Sequence, residues 1–212
     1  MPKKILLAVV SLLVLQVFVT AQQPAKKESY ETLLERVKKQ DTSVNFTDLR
    51  LAYTETKEYD PYAGQTDDRK AMFAALNAKD YAAALTASEK MLAANYIDMN
   101  AHFGAMVSNR ELGNSAKADF HKYVFMGLLN SVSNSGDGKT METAFVVISV
   151  DEEYVWFNFN GLRVTNQSLV DEKGHRYDRM TATDPKTDQT ASYYFNIDKP
   201  WNWLGNSLKG KQ

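Results

Sequence analysis

The sequence predicts an α+β protein in which N-terminal tetratricopeptide-like helical hairpins pack with a C-terminal antiparallel β-sheet of about five strands. Apolar residues recur at helical spacing as far as residue 132. From residue 141, short runs rich in β-branched and aromatic residues alternate with turn residues. We therefore expect four segments, a leader, a helical region, a joint and a β region, at 1–21, 22–132, 133–140 and 141–212.

The first segment has the features of a secretory signal peptide. Lys3 and Lys4 precede the apolar run Ile5–Val19, which is shorter than the roughly 20 residues that cross a bilayer. Small or slim residues occupy the positions before a cleavage site that would follow Ala21. We therefore expect export with cleavage before Gln22 and no stable membrane span afterwards. An uncleaved N-terminal anchor is the alternative.

The composition excludes several classes of function. Cleavage would remove two lysines from 25 basic residues and leave 23 against 26 acidic ones, a net charge of −3. This weak negative charge does not predict a nucleic-acid partner. The absence of cysteine excludes disulfides, thiolate zinc sites and cysteine nucleophiles. We expect no cofactor.

The helical region begins with two short helices. Ser29 stands at an N-cap position before apolar residues at helical spacing from Tyr30 to Val37, and a second helix is expected to follow Thr47. Asp60-Pro61 then breaks the pattern.

Two later hairpins superimpose at a shift of 34 residues. The shift places Asp80 on Asn114 at the turns and Ala84 on Ala118 where the helices would cross. This spacing resembles the tetratricopeptide repeat. Two repeats do not bury a continuous core, so we expect other parts of the chain to cover them. The resemblance spans 79–98 and 101–124.

The joint contains SNSGDGKT, whose end looks like a phosphate-binding loop. That motif needs a glycine where Ser133 stands, and a strand before the loop with a helix after it. The order expected here is reversed. A calcium loop is also excluded, because Ala144 occupies the position of the bidentate glutamate. We interpret the stretch as a flexible glycine-rich loop.

In the β region, strand-like runs are separated by turn signals, which favours an antiparallel meander with a hairpin at Asn160-Gly161. The predicted strands are Thr143–Val150, Glu153–Phe159, Leu162–Val170, His175–Thr183 and Ala191–Ile197.

Several longer stretches resemble a bacterial family of exported proteins, domain of unknown function 4919. They are SYETLLERVKKQDTSVNFTDLRLAYTE, YDPY, GDGKTMETAFVVISVDEEY, GLRVTNQSLV, KGHRYDRMTATDPKT and YYFNID. The resemblance covers nearly the whole predicted mature chain. It implies a periplasmic or secreted bacterial protein of mixed architecture and brings no catalytic residues with it.

Five residues are candidates for binding. His102, Asn109 and His121 lie on the repeat-like helices, where the two histidines could approach one another, although ordinary surface or groove histidines are the favoured interpretation. Trp201 and Trp203 could stack on a sugar ring, although a hydrophobic lid over the sheet is the favoured interpretation.

The acidic residues allow a second hypothesis. Asp151, Glu152 and Glu153 are expected to form a solvated turn rather than a cation site. His175 and Asp178 could belong to a catalytic triad if a nucleophile joined them. The leading prediction is a non-enzymatic exported module that binds a protein or peptide in a helical groove. The alternative is an envelope hydrolase or glycan-acting enzyme that uses His175, Asp178 or nearby carboxylates.

Overall fold

The computed structural model describes residues 27–64 and 66–209. The predicted signal peptide, residues 1–21, lies outside the described residues. In the described part, six helices are followed by a region that mixes helices and strands, which confirms the α+β class. The elements are α1 (Tyr30–Lys38), α2 (Phe46–Tyr53), α3 (Asp67–Asn77), α4 (Tyr81–Ala94), α5 (Met99–Glu111), α6 (Ser115–Ser133), β1 (Phe145–Val146), α7 (Val150–Phe159), β2 (Arg163–Glu172), β3 (His175–Thr183), β4 (Thr190–Asn196) and α8 (Asp198–Lys209).

The first five helices begin at side chains that cap them. In each, an oxygen of the N-cap side chain accepts a hydrogen bond from a backbone N–H of the first turn, which has no partner within the helix. These caps confirm the predicted start of α1 and the turn between α3 and α4. The capping residues are Ser29, Asn45, Thr66, Asp80 and Asp98.

Helices α3, α4 and α5 enclose a small core of their own. Gly104 of α5 faces the other two helices, and a Cβ atom there would clash with Met72 of α3 and Ser88 of α4. Small residues thus let the three helices approach closely. The buried apolar residues of this core are Met72, Ala87, Met91, Leu92, Ala101 and Ala105.

A larger core joins α1, α2, α6 and α7 to the sheet. Its aromatic centre lies between α7 and the sheet. The ring centroid of Trp156 is 4.7 Å from that of Phe145 and 5.1 Å from that of Tyr193. Phe157 packs 5.5 Å from Phe195 in the same way. Helix α7 therefore lies against β1 and β4.

The sheet has four described strands in the order β1-β4-β3-β2. Strands β2, β3 and β4 form an antiparallel meander, whereas β1 pairs with β4 in parallel. The prediction of about five antiparallel strands is wrong in both number and type. A mixed sheet arises because α7, β2 and β3 intervene before the chain returns to pair with β1.

The predicted strand Thr143–Val150 contributes only Phe145–Val146 to the sheet. Beyond Val146, the backbone groups of Ile148 form hydrogen bonds with side chains. Its N–H donates to Glu152 Oε2 at 2.8 Å, and its carbonyl accepts from the Tyr59 hydroxyl at 2.6 Å. With these groups engaged, the strand ends after two residues.

The predicted strand Glu153–Phe159 is wrong, because this segment belongs to α7. Buried residues occur nearly all around the helix, so the alternation of Val155, Phe157 and Phe159 also fits a strand. The ion-paired carboxylates of Asp151 and Glu152 in the first turn favour a helix through its dipole. Asn160-Gly161 consequently ends a helix and does not form a hairpin.

The stretch 133–140 joins a helix to a strand, as predicted, but it is held by hydrogen bonds. The backbone N–H groups of Asp137 and Gly138 both donate to the Thr143 carbonyl, and the Gly138 carbonyl accepts from Tyr194 of β4. Gly138 has φ of +67°, and a Cβ atom there would meet the Phe145 ring. The glycine is thus required by a fixed turn and not by flexibility.

Candidate functional site

Three phenylalanines stand exposed on adjacent helices. Phe73 of α3, Phe103 of α5 and Phe159 of α7 are 36%, 37% and 54% exposed. Buried Phe125 of α6 lies beneath them, with its ring centroid 6.0 Å from those of Phe103 and Phe159. We call Phe73, Phe103 and Phe159 the aromatic rim.

The aromatic rim surrounds a pocket of about 150 Å³. Its floor combines side chains from α5, α6 and α7, and its lining carries no charge. The lining residues are Phe73, Asn100, Phe103, Phe125, Val155, Asn158 and Phe159.

Asn100 is a buried polar residue in the lining of this pocket. Its residue is only 7% exposed, and the side-chain Nδ2 has no acceptor among the described residues. Leaving a buried amide donor without an acceptor typically costs about 1–3 kcal/mol. Asn100 also lines a polar cavity of about 30 Å³. The Nδ2 atom is itself buried, so it is not exposed at the surface of the pocket.

A second, more open groove of about 570 Å³ runs between α1, α2 and the end of α4. Tyr30, Tyr53 and Tyr96 contribute aromatic surface, and the Lys38 ammonium lies 5.4 Å from the centroid of the Tyr96 ring. Glutamates also line this groove, so its chemistry is more polar than that of the pocket within the aromatic rim.

His102 and His121 approach one another, with 3.0 Å between their Nδ1 atoms. His102 Nε2 lies 2.7 Å from the Tyr96 carbonyl, which can only accept. Because His102 Nε2 must carry the hydrogen, its Nδ1 accepts and His121 Nδ1 donates. Burial lowers the pKa of His102 to about 3 and also lowers that of His121. The pair is therefore neutral, and His102 is inaccessible.

Asn109 lies in the interior of the helical region. Its side-chain Nδ2 donates to the Ala105 carbonyl at 2.9 Å, and its Oδ1 accepts from Asn114 at 3.3 Å. Both contacts stabilise the end of α5 and the turn that follows it. Asn109 does not line the pocket within the aromatic rim.

Trp201 and Trp203 lie on α8, an unpredicted helix. Trp203 is half-buried against the larger core, with its ring 6.0 Å from that of Tyr62. Trp201 is more exposed, and the guanidinium of Arg176 lies 5.4 Å from its ring centroid. The contacts of Trp203 agree with the lid interpretation.

The acids at the start of α7 have three different environments, so the predicted solvated turn is wrong. Asp151 pairs with Arg69 at 2.6 Å. Glu152 is buried and accepts from the Arg50 guanidinium, with one contact at 2.8 Å. Glu153 is fully buried, and neither carboxyl oxygen has a donor among the described residues.

Glu153 faces Asp178 of β3, whose carboxylate accepts from Gln167 at 2.7 Å. Burial raises the pKa of Glu153 well above 4.5, and the nearby charges of Asp178 and Glu152 raise it further. The pKa of Asp178 is also raised by burial. A protonated Glu153 can donate a hydrogen bond to Asp178, which supplies the partner that a charged Glu153 would lack.

His175 pairs with Asp198 and not with Asp178. Its Nδ1 lies 2.6 Å from Asp198 Oδ2 at the start of α8. Residues 175 and 178 are an odd number of positions apart on β3, so their side chains leave opposite faces of the strand. The sequence proximity of the two residues therefore did not indicate a catalytic pair.

Sequence reasoning missed the aromatic rim and Asn100. The sequence predicts a strand at Phe159, and the helical spacing around Phe73 does not show which side of α3 faces solvent. A capping-box spacing from Ser149 to Glu152, ahead of the apolar run, could have revealed α7. Nothing local distinguishes Phe103 from a core residue.

The described residues hold neither a cluster of metal ligands nor a helix suited to a membrane. No group of three or more histidines or acids within 27–64 and 66–209 is arranged to hold a metal ion. None of the described helices has the length and apolarity of a membrane span.

These features define a class of α+β protein in which helical hairpins and a mixed sheet frame an exposed aromatic surface. The chain belongs to the family described as Domain of unknown function (DUF4919), whose model matches residues 20–204. The family indicated by the sequence resemblance is thus confirmed. No curated protein and no solved structure gave a match.

Proposed function

We propose that this protein is a non-enzymatic module that binds a protein or peptide partner through the aromatic rim. The observation that carries the proposal is the exposure of three phenylalanines around one uncharged pocket. Exposed aromatic side chains clustered at a pocket are typical of protein interfaces, where they bury large areas at low entropic cost.

The tetratricopeptide-like relationship between the hairpins α3–α4 and α5–α6 belongs to this proposal. Lys79 and Gly113, 34 residues apart, both have positive φ, 58° and 80°. The next residues, Asp80 and Asn114, donate their backbone N–H to a carbonyl five residues earlier, at 2.9 and 2.8 Å. The alanine four residues after each is buried. This recurrence supports a repeated hairpin.

The proposed location is the bacterial envelope or the extracellular medium. Its support is the sequence of residues 1–21 alone, in which two lysines precede a short apolar run and a small-residue cleavage site. A partner would then be an envelope or secreted protein.

A hydrolase that uses His175 and Asp178 has less support, because the two side chains have separate partners, Asp198 and Gln167. The Glu153 carboxyl near Asp178 is fully buried, so a substrate would not reach it.

Selection of a random peptide library against the purified chain tests the proposal. Enriched peptides should bind the wild type, and Phe159→Ser should weaken binding by about tenfold or more in fluorescence anisotropy. Leu169→Ser is the matched control, since Leu169 is 51% exposed on β2 and does not line the pocket.

Circular dichroism should confirm that both variants fold. Failure to enrich any peptide, or equal binding by wild type and Phe159→Ser, would contradict the proposed function.

A further inference from the structure

The outer edge of the sheet is an interaction surface that is separate from the aromatic rim. In the strand order β1-β4-β3-β2, strand β2 lies at one edge and pairs only with β3 among the described residues. We propose that two copies of this chain associate through antiparallel pairing of their β2 strands, around a two-fold axis at Ser168. The two four-stranded sheets then form one continuous sheet. This interaction is independent of the proposed function.

The edge formed by β2 is long and open. The strand has ten residues, Arg163–Glu172, and seven of them are exposed, so no described part of the chain packs over it. The strand at the other edge, β1, has only two residues. A long open edge presents unpaired backbone N–H and C=O groups, which pair readily with another strand. Strand β2 is therefore the edge at which the sheet can be extended.

The hairpin between β2 and β3 determines which backbone groups face outward. Its loop consists of residues 173–174, and both have positive φ. In such a two-residue loop the flanking residues, here Glu172 and His175, form a hydrogen-bonded pair, and every second residue back along the strand does the same. The backbone groups of Gln167 and Leu169, which lie between these positions, therefore point away from β3.

A two-fold axis at Ser168 makes use of these outward groups. It places Gln167 opposite Leu169 of the second copy, so their backbone groups can exchange hydrogen bonds. Leu169 lies opposite Asp178 on the core-facing side of the sheet, yet it is 51% exposed because no described strand lies beyond β2. A second β2 strand would cover this apolar side chain, which favours association.

The charges at the two ends of β2 are complementary under the same axis. Arg163 stands at one end and Asp171 and Glu172 at the other, with no charged residue between them. A β-bulge between Val164 and Asn166 adds one residue, so Arg163 lies opposite Glu172 of the second copy. Both side chains lie on the same side of the sheet, because both pair with odd-numbered residues of β3. Symmetry forms this pair twice, which favours self-association.

The size of this interface predicts a weak dimer. Two paired strands bury less surface than the roughly 1,200 Å² of a stable interface, so the dimer should form only at high concentration. Sedimentation velocity of the purified chain, from about 1 µM to about 1 mM, should show a monomer–dimer equilibrium within this range.

Exchange of the two charges tests the register. Arg163→Glu and Glu172→Arg each place like charges opposite one another in both symmetric pairs. Each variant should therefore raise the dissociation constant of the dimer by about tenfold or more. In a mixture of the two variants every pair is again opposite in sign, so heterodimers should form with the affinity of wild type. The double variant should dimerise by itself for the same reason.

Arg179→Glu is the matched control, because it makes the same charge change at an exposed position of β3, inside the sheet. It should dimerise like wild type, and circular dichroism verifies that all variants fold. A wild type that stays monomeric up to about 1 mM refutes self-pairing and leaves the edge to a strand of a different protein. A dimer that persists in both single variants, or a mixture that stays monomeric, refutes the proposed pairing as well.

Discussion

At the scale of single residues, burial controls the chemistry of the polar groups that link α7 to the sheet. Side chains alternate between the two faces of β3, and Asp178 lies on the same core-facing side as Met180 and Ala182. Glu153 reaches the same space from α7. Two carboxyls that share a buried site do not both ionise easily, so the charge of Asp178 adds to burial in raising the pKa of Glu153.

We predict that Glu153→Gln stabilises the protein at alkaline pH. Folding raises the pKa of Glu153, so the protonated carboxyl contributes to the free energy of unfolding. This contribution is complete below about pH 4.5 and is lost as the pH rises through the folded-state pKa. Each pKa unit of elevation corresponds to about 1.4 kcal/mol. Glutamine cannot ionise and can still donate to Asp178.

Urea unfolding should therefore give a higher free energy of unfolding for Glu153→Gln than for wild type at about pH 8, with the difference shrinking towards about pH 4. Glu89→Gln, at an exposed position on α4, should change little at either pH. A less stable Glu153→Gln at alkaline pH would show that the carboxyl is charged in the folded protein.

We predict that the buried His102 makes the protein less stable in mild acid. Its pKa falls from 6.5 to about 3 on folding, so the unfolded chain binds the extra proton as the pH drops below about 6.5. Between about pH 7 and pH 5 this costs about 2 kcal/mol. His102→Gln should lose less stability over that interval in urea unfolding. An equal loss in both proteins would exclude His102 as the cause.

At the scale of elements, the hairpins α3–α4 and α5–α6 depend on small residues where helices meet. Ala84 of α4 and Ala118 of α6 are both buried, at positions that the 34-residue shift superimposes. Each lies one helical turn after the residue at the N-cap position of its helix, Asp80 or Asn114, and its N–H donates to that residue's carbonyl at 3.0 Å.

We predict that Ala84→Leu and Ala118→Leu each lower the free energy of unfolding by roughly 1–3 kcal/mol, because the added methyl groups overpack the helix contact. Ala82→Leu and Ala116→Leu are matched controls, since these alanines are exposed and are also related by the same shift. Unfolding midpoints in urea that match wild type for both buried variants would contradict the packing role.

At the scale of the whole molecule, one buried ion pair joins the helical region to the sheet. Arg50 of α2 donates to Glu152 of α7, to Ser131 of α6 at 2.8 Å and to the Val146 carbonyl of β1 at 3.0 Å. Four elements thus meet at one guanidinium, which is 1% exposed. The contacts to Glu152 and Val146 link the helical region to the part of the chain that contains the sheet, whereas Ser131 belongs to the helical region itself.

Arg50→Met should destabilise the protein by about 3–5 kcal/mol, because Glu152 would remain buried without its cation. Adding Glu152→Gln removes the charge and keeps an acceptor for Ile148, so the double variant should recover part of the loss. Equilibrium unfolding measures both. A double variant as unstable as Arg50→Met would show that lost packing, and not an unpaired charge, is the cause.

Export is the remaining prediction at this scale. Cleavage before Gln22 in the producing cell should remove residues 1–21, which intact-mass measurement of the purified protein detects directly. A species that retains Met1 and sediments with membranes would instead support the uncleaved anchor.

The sequence by itself determined the features that depend on neighbouring residues. Ser29 and Asp80 mark helix starts because their side chains cap N–H groups only three residues away. Helical spacing and the shift of 34 residues predicted the hairpins for the same local reason. The family was also recognisable, since motifs spread along the chain survive without knowledge of their contacts.

Only the tertiary structure decided the features that depend on distant partners. The segment 150–159 fits either a helix or a strand until the sheet packs against it, and β1 pairs in parallel with a strand some 50 residues later. The candidate site has the same origin. Phe73, Phe103 and Phe159 come from three helices, and no local pattern indicates that they meet at one surface, because exposure is a property of the assembled fold.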